Sequence, residues 1–343
     1  MSKGGAHFTS QELALVLSHY DIGIIQQIKP LVGGNRRAPK QIIVSDKGRY
    51  LLKRLAKGKD DRSRIEFAHC VQNLLKEKNF PVSKLISTRD GNITFLELDN
   101  HVYELFEFAS GIRFDGRNEL VENAGYFLAK FHTFLQDYSC QSMSRRGSFH
   151  DSRSVREHLK KIRSDNHDSD KTAASLIQVY NDSSTNVNHY GFDDWPCQIV
   201  HGDWHPGNML FSAGKISAVL DFDSLNVAPV MTDIANGALQ FSIIAGRPDP
   251  ADWPDYLDHA KFNSFICGYC KVNMLDENQF KTLSDLMIET LIAEAVLPIA
   301  ATGYFSNFSG VDFLKMIQRK CLWIDKNRNA LAGIAHSLKE CPK

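Results

Sequence analysis

The hydrophobic pattern of this 343-residue chain changes period once, close to Gly111. Before that point, short apolar runs at residues 24–32, 41–45, 50–55, 93–98 and 101–108 alternate with turn residues, which is the pattern of strands. Asp46-Lys47-Gly48 between the second and third runs predicts a hairpin, and Asp99-Asn100 joins the last two. Two helices break the series. Thr9-Ser10-Gln11-Glu12 has capping-box form and opens a periodic run to Leu17. Residues 60–78 place Ile65, Ala68, Val71, Leu74 and Leu75 on one face. After Gly111 the 3.6 period dominates. Leu120, Ala124, Phe127, Leu128, Phe131 and Leu135 mark a helix over 119–138, and further helical pieces are expected near 154–163 and 171–180. Only 198–200, 209–211 and 216–220 read as strands there, and everything after Met231 reads as helix. The class expected is α+β, with an antiparallel sheet in a smaller domain at 1–108 and mainly helices in a larger one at 109–343.

Charge narrows the function. Lys+Arg and Asp+Glu both total 40, so the chain has no long-range pull on nucleic acid or an anionic membrane. Residues 1–10 are rich in Gly and Ser without a long apolar run, and are read as neither signal peptide nor membrane span. Near the other end, the apolar stretch 291–301 is interrupted by Glu294 and Pro298. Cys267 and Cys270 form a lone C-x-x-C within a helical pattern, with no second pair to complete a zinc site. Reduced thiols packed in a cytoplasmic protein are expected.

Chemistry concentrates in one segment. It reads His201-Gly202-Asp203-Trp204-His205-Pro206-Gly207-Asn208, and a strand-like run then leads to Asp221-Phe222-Asp223. Phosphoryl transfer needs a carboxylate near the acceptor hydroxyl and hard oxygen ligands for magnesium. Asp203 and Asn208 lie five apart on one loop, and Asp221 follows Asp203 by eighteen. A loop followed by a hairpin would bring the three together. Singly, these residues read as caps and turns; together, their types and spacing read as a kinase.

The spacing matches the protein-kinase catalytic loop, yet Gly202 replaces that loop's arginine and Asp223 replaces the glycine of its metal-binding motif. The form H-G-D-x-H-P-x-N followed by D-F-D resembles instead the aminoglycoside phosphotransferase, choline kinase and homoserine kinase-like superfamily. The resemblance covers roughly residues 20–320. It implies a two-lobed protein-kinase-like fold and transfer of the γ-phosphate of ATP, with Mg2+, to a hydroxyl of a small molecule. It implies Asp203 as catalytic base and Asn208, Asp221 and Asp223 as metal ligands. It casts Lys53, on the third strand, as the lysine on the ATP phosphates, with Glu66 on the next helix as its partner. Gly33, Gly34 and Asn35 become a phosphate loop, and backbone groups at Glu107 and Ala109 hold adenine. Asp233 braces the catalytic loop, His201 supports it, and His205 is read as structural before substrate-binding. His132 is read as helix packing.

Partners implied are ATP and one small acceptor, drawn from amino alcohols, homoserine, sugars and aminoglycosides; oligomeric state is left open. A protein kinase is the competing activity, weakened by Gly202 and by the lack of A-P-E after Asp223. An inactive nucleotide-binding module would have lost Lys53, Asp203, Asn208 or Asp221, and all four are present. Asp249, Asp252, Asp255 and Asp258 are read as a solvated acidic surface, and Tyr304, Phe305 and Trp323 as core or pocket lining.

Overall fold

The computed structural model describes residues 7–31, 38–138, 149–165 and 170–333. Thr9 opens α1 (Ser10–Ser18): its hydroxyl accepts from the Glu12 N–H at 3.0 Å, and the Glu12 carboxylate accepts from the Thr9 N–H at 3.2 Å. Five antiparallel strands follow, β1 (Ile25–Pro30), β2 (Lys40–Ser45), β3 (Gly48–Arg54), β4 (Leu96–Leu98) and β5 (His101–Glu107), in spatial order β1-β2-β3-β5-β4. Ser45 pairs with Gly48, so Asp46 and Lys47 form the two-residue turn expected between β2 and β3. Alternation along the strands puts Ile43, Tyr50, Leu52, Tyr103 and Leu105 on one face, packed with Val16, Leu17, Tyr20 and Ile22. Helix α2 (Arg62–Glu77) buries Ile65, Ala68, Val71 and Leu75, as its periodicity requires.

The strand expected from Ile93 begins only at Leu96. Residues 88–93 close a turn, with the Thr88 N–H donating to Ile93 O at 2.8 Å and Asn92 at φ 51°. A second departure concerns chain organisation. The hairpin β7 (Met209–Ser212) and β8 (Lys215–Val219) belongs with the sheet: Val219 N–H donates to Pro81 O at 2.7 Å, and Ile112 and Phe211 exchange backbone bonds of 2.8 and 2.9 Å. The described residues of Met1–Arg113 and Met209–Asp223 therefore form one compact unit. Those of Phe114–Ser139, Met143–Asn208 and Ser224–Lys343 form another.

The second unit is mainly helical, as expected: α3 (Asn118–Leu135), α4 (Arg153–Asp165), α5 (Asp170–His189), α6 (Met231–Ser242), α7 (His259–Cys270), α8 (Glu277–Thr302), α9 (Gly310–Lys326) and α10 (Arg328–Ala332). Helix α8 is buried on every side along most of its length, which explains its lack of a polar stripe. The strand expected at 198–200 is present as β6 (Cys197–Val200), and it pairs with β9 (Asn226–Pro229), which was not expected. After Met231 the all-helix expectation is corrected by one pair, β10 (Tyr304–Phe305) with β11 (Phe308–Ser309). Short runs holding Asn, Pro or Ser carry almost no strand signal; cross-strand partners make them strands. Among the described residues no helix is long and apolar enough to cross a membrane.

The acidic run near 250 acts as caps and pairs. Asp249 accepts from the Ala251 N–H at 2.8 Å, Asp258 caps α7 through the Lys261 N–H at 3.1 Å, and Asp255 pairs with Arg319 at 2.7 Å. Phe305 stacks on Phe313 at 4.0 Å, and Trp323 meets His259 edge-on. Burial pushes the Cys270 thiol up to about 11, so it is a packed thiol and not a thiolate.

Helices α3 and α7 cross with their backbones in contact. A Cβ at Gly268 would stand 1.9 Å from Glu122 O, and backbone cannot yield as a side-chain tip can. Gly268→Ala is expected to destabilise the protein by about 2 kcal/mol or more, read as a lower urea midpoint at unchanged m-value.

Candidate active site

In the first unit the charges gather on Lys53. Its side chain is 10% exposed, and its Nζ lies 3.0 Å from Asp223 Oδ1, 3.5 Å from Glu104 Oε2 and 3.9 Å from Asp221 Oδ1. Burial alone would disfavour its charge. The carboxylates of Glu104, Asp223 and Asp221 outweigh burial and hold its pKa above the ordinary lysine value. Glu104 reaches Lys53 because β3 and β5 pair Lys53 directly with Glu104. His69 Nε2, on α2, lies 2.9 Å from Glu104 Oε1, and its Nδ1 meets Thr94 Oγ1 at 2.7 Å. Burial opposes ionisation of Glu104; Lys53 and His69 reverse that and keep its pKa below normal.

The expected Lys53–Glu66 pair does not form. Glu66 lies on the solvent side of α2, its side chain 50% exposed, and accepts from Arg62 Nε one turn earlier at 2.8 Å. The cross-strand geometry of β3 and β5 supplies Glu104 instead. Asp223, expected as a metal ligand, is ion-paired with Lys53 and, at 3.4 Å, with Lys59. Asp221 differs. Its backbone is left-handed, at φ 60°, and its Oδ1 is sealed from solvent with no hydrogen-bond donor. Lys40 stands opposite Lys53 across β2 and β3; burial first, and the Lys53 charge second, hold its pKa down.

At the expected adenine site, the Glu107 N–H donates to Lys84 O at 2.8 Å, so at that residue a ligand must use another group. Ala109 is half-buried just beyond β5. Gly33, Gly34 and Asn35 lie outside the described residues.

In the second unit, the loop after β6 is built around Asp233, which is 1% exposed in the first turn of α6. Its Oδ2 accepts from the His201 N–H at 2.6 Å and its Oδ1 from the Gly202 N–H at 2.8 Å. His132 Nε2 approaches Oδ2 at 3.2 Å, while His132 Nδ1 meets the Tyr269 hydroxyl at 2.9 Å. The His132 ring therefore does more than pack: it ties α3 to the loop brace. The His201 ring is fully buried, edge-on to Trp204 at 5.3 Å and Phe131 at 5.9 Å. Gly202 adopts φ 74°, and a Cβ there would fall 2.4 Å from Ser224 O. That close approach explains glycine where the protein-kinase loop has arginine.

Asp203 follows on this braced loop. Its Oδ2 accepts from Asn208 Nδ2 at 2.9 Å, and the same amide donates to Asp203 O at 3.1 Å. His205 Nε2 lies 3.6 Å from Asp203 Oδ1, and His205 Nδ1 accepts from the Gly207 N–H at 3.0 Å. Burial works against the Asp203 charge, but His205, His201 and the Asn208 amide keep its pKa below the usual carboxylate value.

A model of the phosphotransferase enzyme family matches residues 27–263, well over half of the chain. The chain belongs to this family. It is therefore a phosphotransferase, and the resemblance read from the loop motif is confirmed. No curated protein matches it by sequence. Solved structures share its fold across nearly the whole length. The microcompartment-associated aminopropanol kinase is 14% identical, with a TM-score of 0.71 over 94% of this chain and 99% of that one. An amicoumacin kinase bound to AMP-PNP and Ca2+ is 16% identical, with a TM-score of 0.68 over 93% and 94%. The ethanolamine kinase of Plasmodium vivax is 17% identical, with a TM-score of 0.59 over 95% and 92%. At these identities the likeness is one of fold, and it agrees with the α+β, kinase-like class expected.

Among the described residues of this phosphotransferase, no group of three His, Cys, Asp or Glu is gathered as a metal cage. Magnesium does not need one, because it keeps water and takes phosphate oxygens alongside one or two carboxylates. Asp221 Oδ1, buried and without a donor, suits a hard cation. The Asn208 amide suits one too, since its Nδ2 faces Asp203 and its carbonyl oxygen is left for other contacts.

Five members of these clusters escaped sequence reasoning. Glu104 was visible only as part of an apolar strand, and its partner His69 only as one position of α2. The other three form one group: Glu294 on α8 accepts from Asn236 Nδ2 at 2.9 Å and from Gln240 Nε2 at 2.7 Å, both on α6. Burial first, and the Asp203 charge second, push Glu294 up to about 7. Spacing of i, i+4 for Asn236 and Gln240 was legible, but not which helix they face.

The two glutamates near Lys53 can be separated by stability. Glu104→Gln leaves a buried lysine without its cross-strand partner and is expected to cost about 3 kcal/mol. Glu66→Gln should change stability by less than about 0.5 kcal/mol. Urea unfolding of both variants checks the assignment, and equal losses would contradict it.

Proposed function

We propose that this phosphotransferase moves the γ-phosphoryl group of ATP to a hydroxyl of a small molecule, with Mg2+, in the cytoplasm. The observation that carries the reading is Asp203: an ionised carboxylate fixed by Asn208 on a loop that Asp233 holds from behind. The acceptor set is amino alcohols, homoserine, sugars and aminoglycosides. Two of the fold's relatives, named as aminopropanol and ethanolamine kinases, act within that set. Free thiols at Cys70, Cys197, Cys267, Cys270 and Cys321 suit a reducing compartment.

Roles follow from each cluster. In residues 1–108, with the added 209–223 hairpin, Lys53 binds the ATP phosphates, and Glu104 and His69 keep it charged and aimed. Arrival of a polyphosphate gives Lys53 and Lys59 stronger anions than Asp223, which releases that carboxylate. Asp221, Asn208 and the released Asp223 are the residues that would hold magnesium, whose chemistry is to neutralise charge on the transferring phosphate. Backbone at Glu107 and Ala109 holds adenine, and Gly33, Gly34 and Asn35 cover the phosphates. In residues 109–343, Asp203 accepts a hydrogen bond from the acceptor hydroxyl and orients its lone pair toward phosphorus. A loose phosphoryl transition state asks little basicity of this group. A low pKa is therefore compatible with the role: the proton moves late, when the hydroxyl oxygen has already become acidic.

Asp203→Asn keeps the shape of the loop and removes the charge. It is expected to lower kcat by about 10²- to 10⁴-fold while ATP affinity changes less than about threefold, since Asp203 binds no part of the nucleotide. Turnover at the wild-type rate would sink the assignment.

A further inference from the structure

Strand register in the sheet sets three charged residues side by side. Lys40 on β2 pairs directly with Lys53 on β3, and Lys53 with Glu104 on β5. Residues opposed in register point to the same face of a sheet, with their side chains in reach of one another. The row therefore reads Lys-Lys-Glu across three neighbouring strands. One contact in it is favourable, Lys53 with Glu104 at 3.5 Å. The other sets two ammonium groups opposite each other, which disfavours the folded state.

The carboxylates of the same unit do not resolve this conflict. Asp223 is shared between Lys53 at 3.0 Å and Lys59 at 3.4 Å, and Asp221 lies 3.9 Å from Lys53. Among the described residues, the Lys40 ammonium is in no ion pair and donates no hydrogen bond. Residues 32–37, which precede β2, read Val-Gly-Gly-Asn-Arg-Arg and bring no acid. Lys40 senses Asp221, Asp223 and Glu104, so it belongs to their cluster. Burial, and then the Lys53 charge, outweigh those carboxylates and hold its pKa down.

Two ordinary readings of Lys40 fail. A solvated surface lysine would not be half-buried. A lysine that guards a sheet edge belongs on an outer strand, and β2 lies inside, between β1 and β3. Strand propensity does not ask for lysine either. Its backbone, meanwhile, is firmly held: Lys40 O accepts from the Leu31 N–H at 3.0 Å, and Pro39 O accepts from the Arg54 N–H at 3.1 Å. The ammonium is thus carried on fixed backbone beside the lysine read as the phosphate anchor. Charge balance points the same way. With Lys40, the ammonium groups of Lys40, Lys53 and Lys59 match the carboxylates of Glu104, Asp221 and Asp223. Without it the cluster would be net negative, the wrong sign for a polyphosphate.

We propose that Lys40 is a second phosphate-binding lysine of the donor site, and that the polyphosphate of the nucleotide is the anion that relieves its opposition to Lys53. The proposal rests on the kinase reading above and adds a residue that neither the loop motif nor the family resemblance assigns. The two lysines hold the phosphates from adjacent strands. Lys40 acts on nucleotide affinity and not on the transfer step.

The test sets stability against affinity. Lys40→Met removes the charge and keeps the reach of the side chain, Lys40→Gln serves if that variant fails to fold, and Lys40→Arg restores the charge. Urea unfolding of the unliganded protein should give Lys40→Met a higher midpoint than the wild type, because a charge disfavoured by its surroundings is gone. Calorimetry with ATP and Mg2+ should show Kd raised about tenfold or more in Lys40→Met and kept within about threefold in Lys40→Arg. Adenosine, which lacks the phosphates, should bind the wild type and both variants within about twofold of one another. A residue needed only for folding would lose stability, and would lose adenosine along with ATP. Unchanged ATP affinity in Lys40→Met, equal losses for ATP and adenosine, or a lower urea midpoint would overturn the proposal while leaving the kinase reading intact. Selective loss of ATP binding in Lys40→Met, with no phosphoryl transfer by the wild type to any acceptor, would support Lys40 and instead refute the kinase reading. Failure of the wild type to bind ATP at all would overturn both.

Discussion

The helical unit depends on one buried carboxylate. Asp233 receives the N–H groups of His201 and Gly202 and faces the ring of His132. Those N–H groups belong to a tight segment with a left-handed residue, where no strand or helix would satisfy them. Asp233 does so from the first turn of α6, where the helix dipole favours its charge. Through His132 and Tyr269 the same network reaches α3 and α7. The position of Asp203 is thus set by a carboxylate that performs no chemistry, and its precision is that of a packed helical core.

A second theme is charge held in readiness. Lys53 is deeply buried yet firmly ionised, because three carboxylates face it. Burial of so many charges is tolerable only when each has a partner. Glu104 is a permanent partner, anchored by strand register and by His69. Asp223 is shared between Lys53 and the exposed Lys59. Such an arrangement keeps a buried lysine charged and extended, which would lower the ordering cost of binding an anion there.

Legibility from the sequence followed distance along the chain. The contact of Asp203 with Asn208 was readable because both lie within one loop, where spacing and geometry are nearly the same thing. The capping box at Thr9, the two-residue turn at Asp46-Lys47 and the face of α2 were readable for the same reason. The Lys53 partner was misread: Glu66 satisfied the order of elements that the family resemblance implies, but choosing Glu104 required the register of β3 against β5. The boundary near 108 was displaced by the 209–223 hairpin, whose backbone bonds to Pro81 and Ile112 leave no mark in composition. Glu294 looked like a mere interruption of an apolar run. Its meaning came from α6 supplying two amides, which no local pattern on α8 foretells.

The central claim is that the family's transferred group is here the terminal phosphoryl of ATP and that its destination is a hydroxyl. Phosphorus NMR of a reaction containing ATP, Mg2+ and pooled amino alcohols, homoserine, sugars and aminoglycosides tests it most directly. The account predicts a new phosphomonoester resonance that grows in step with ADP. Release of diphosphate with an adenylyl ester, or ADP accompanied by inorganic phosphate alone, would contradict it.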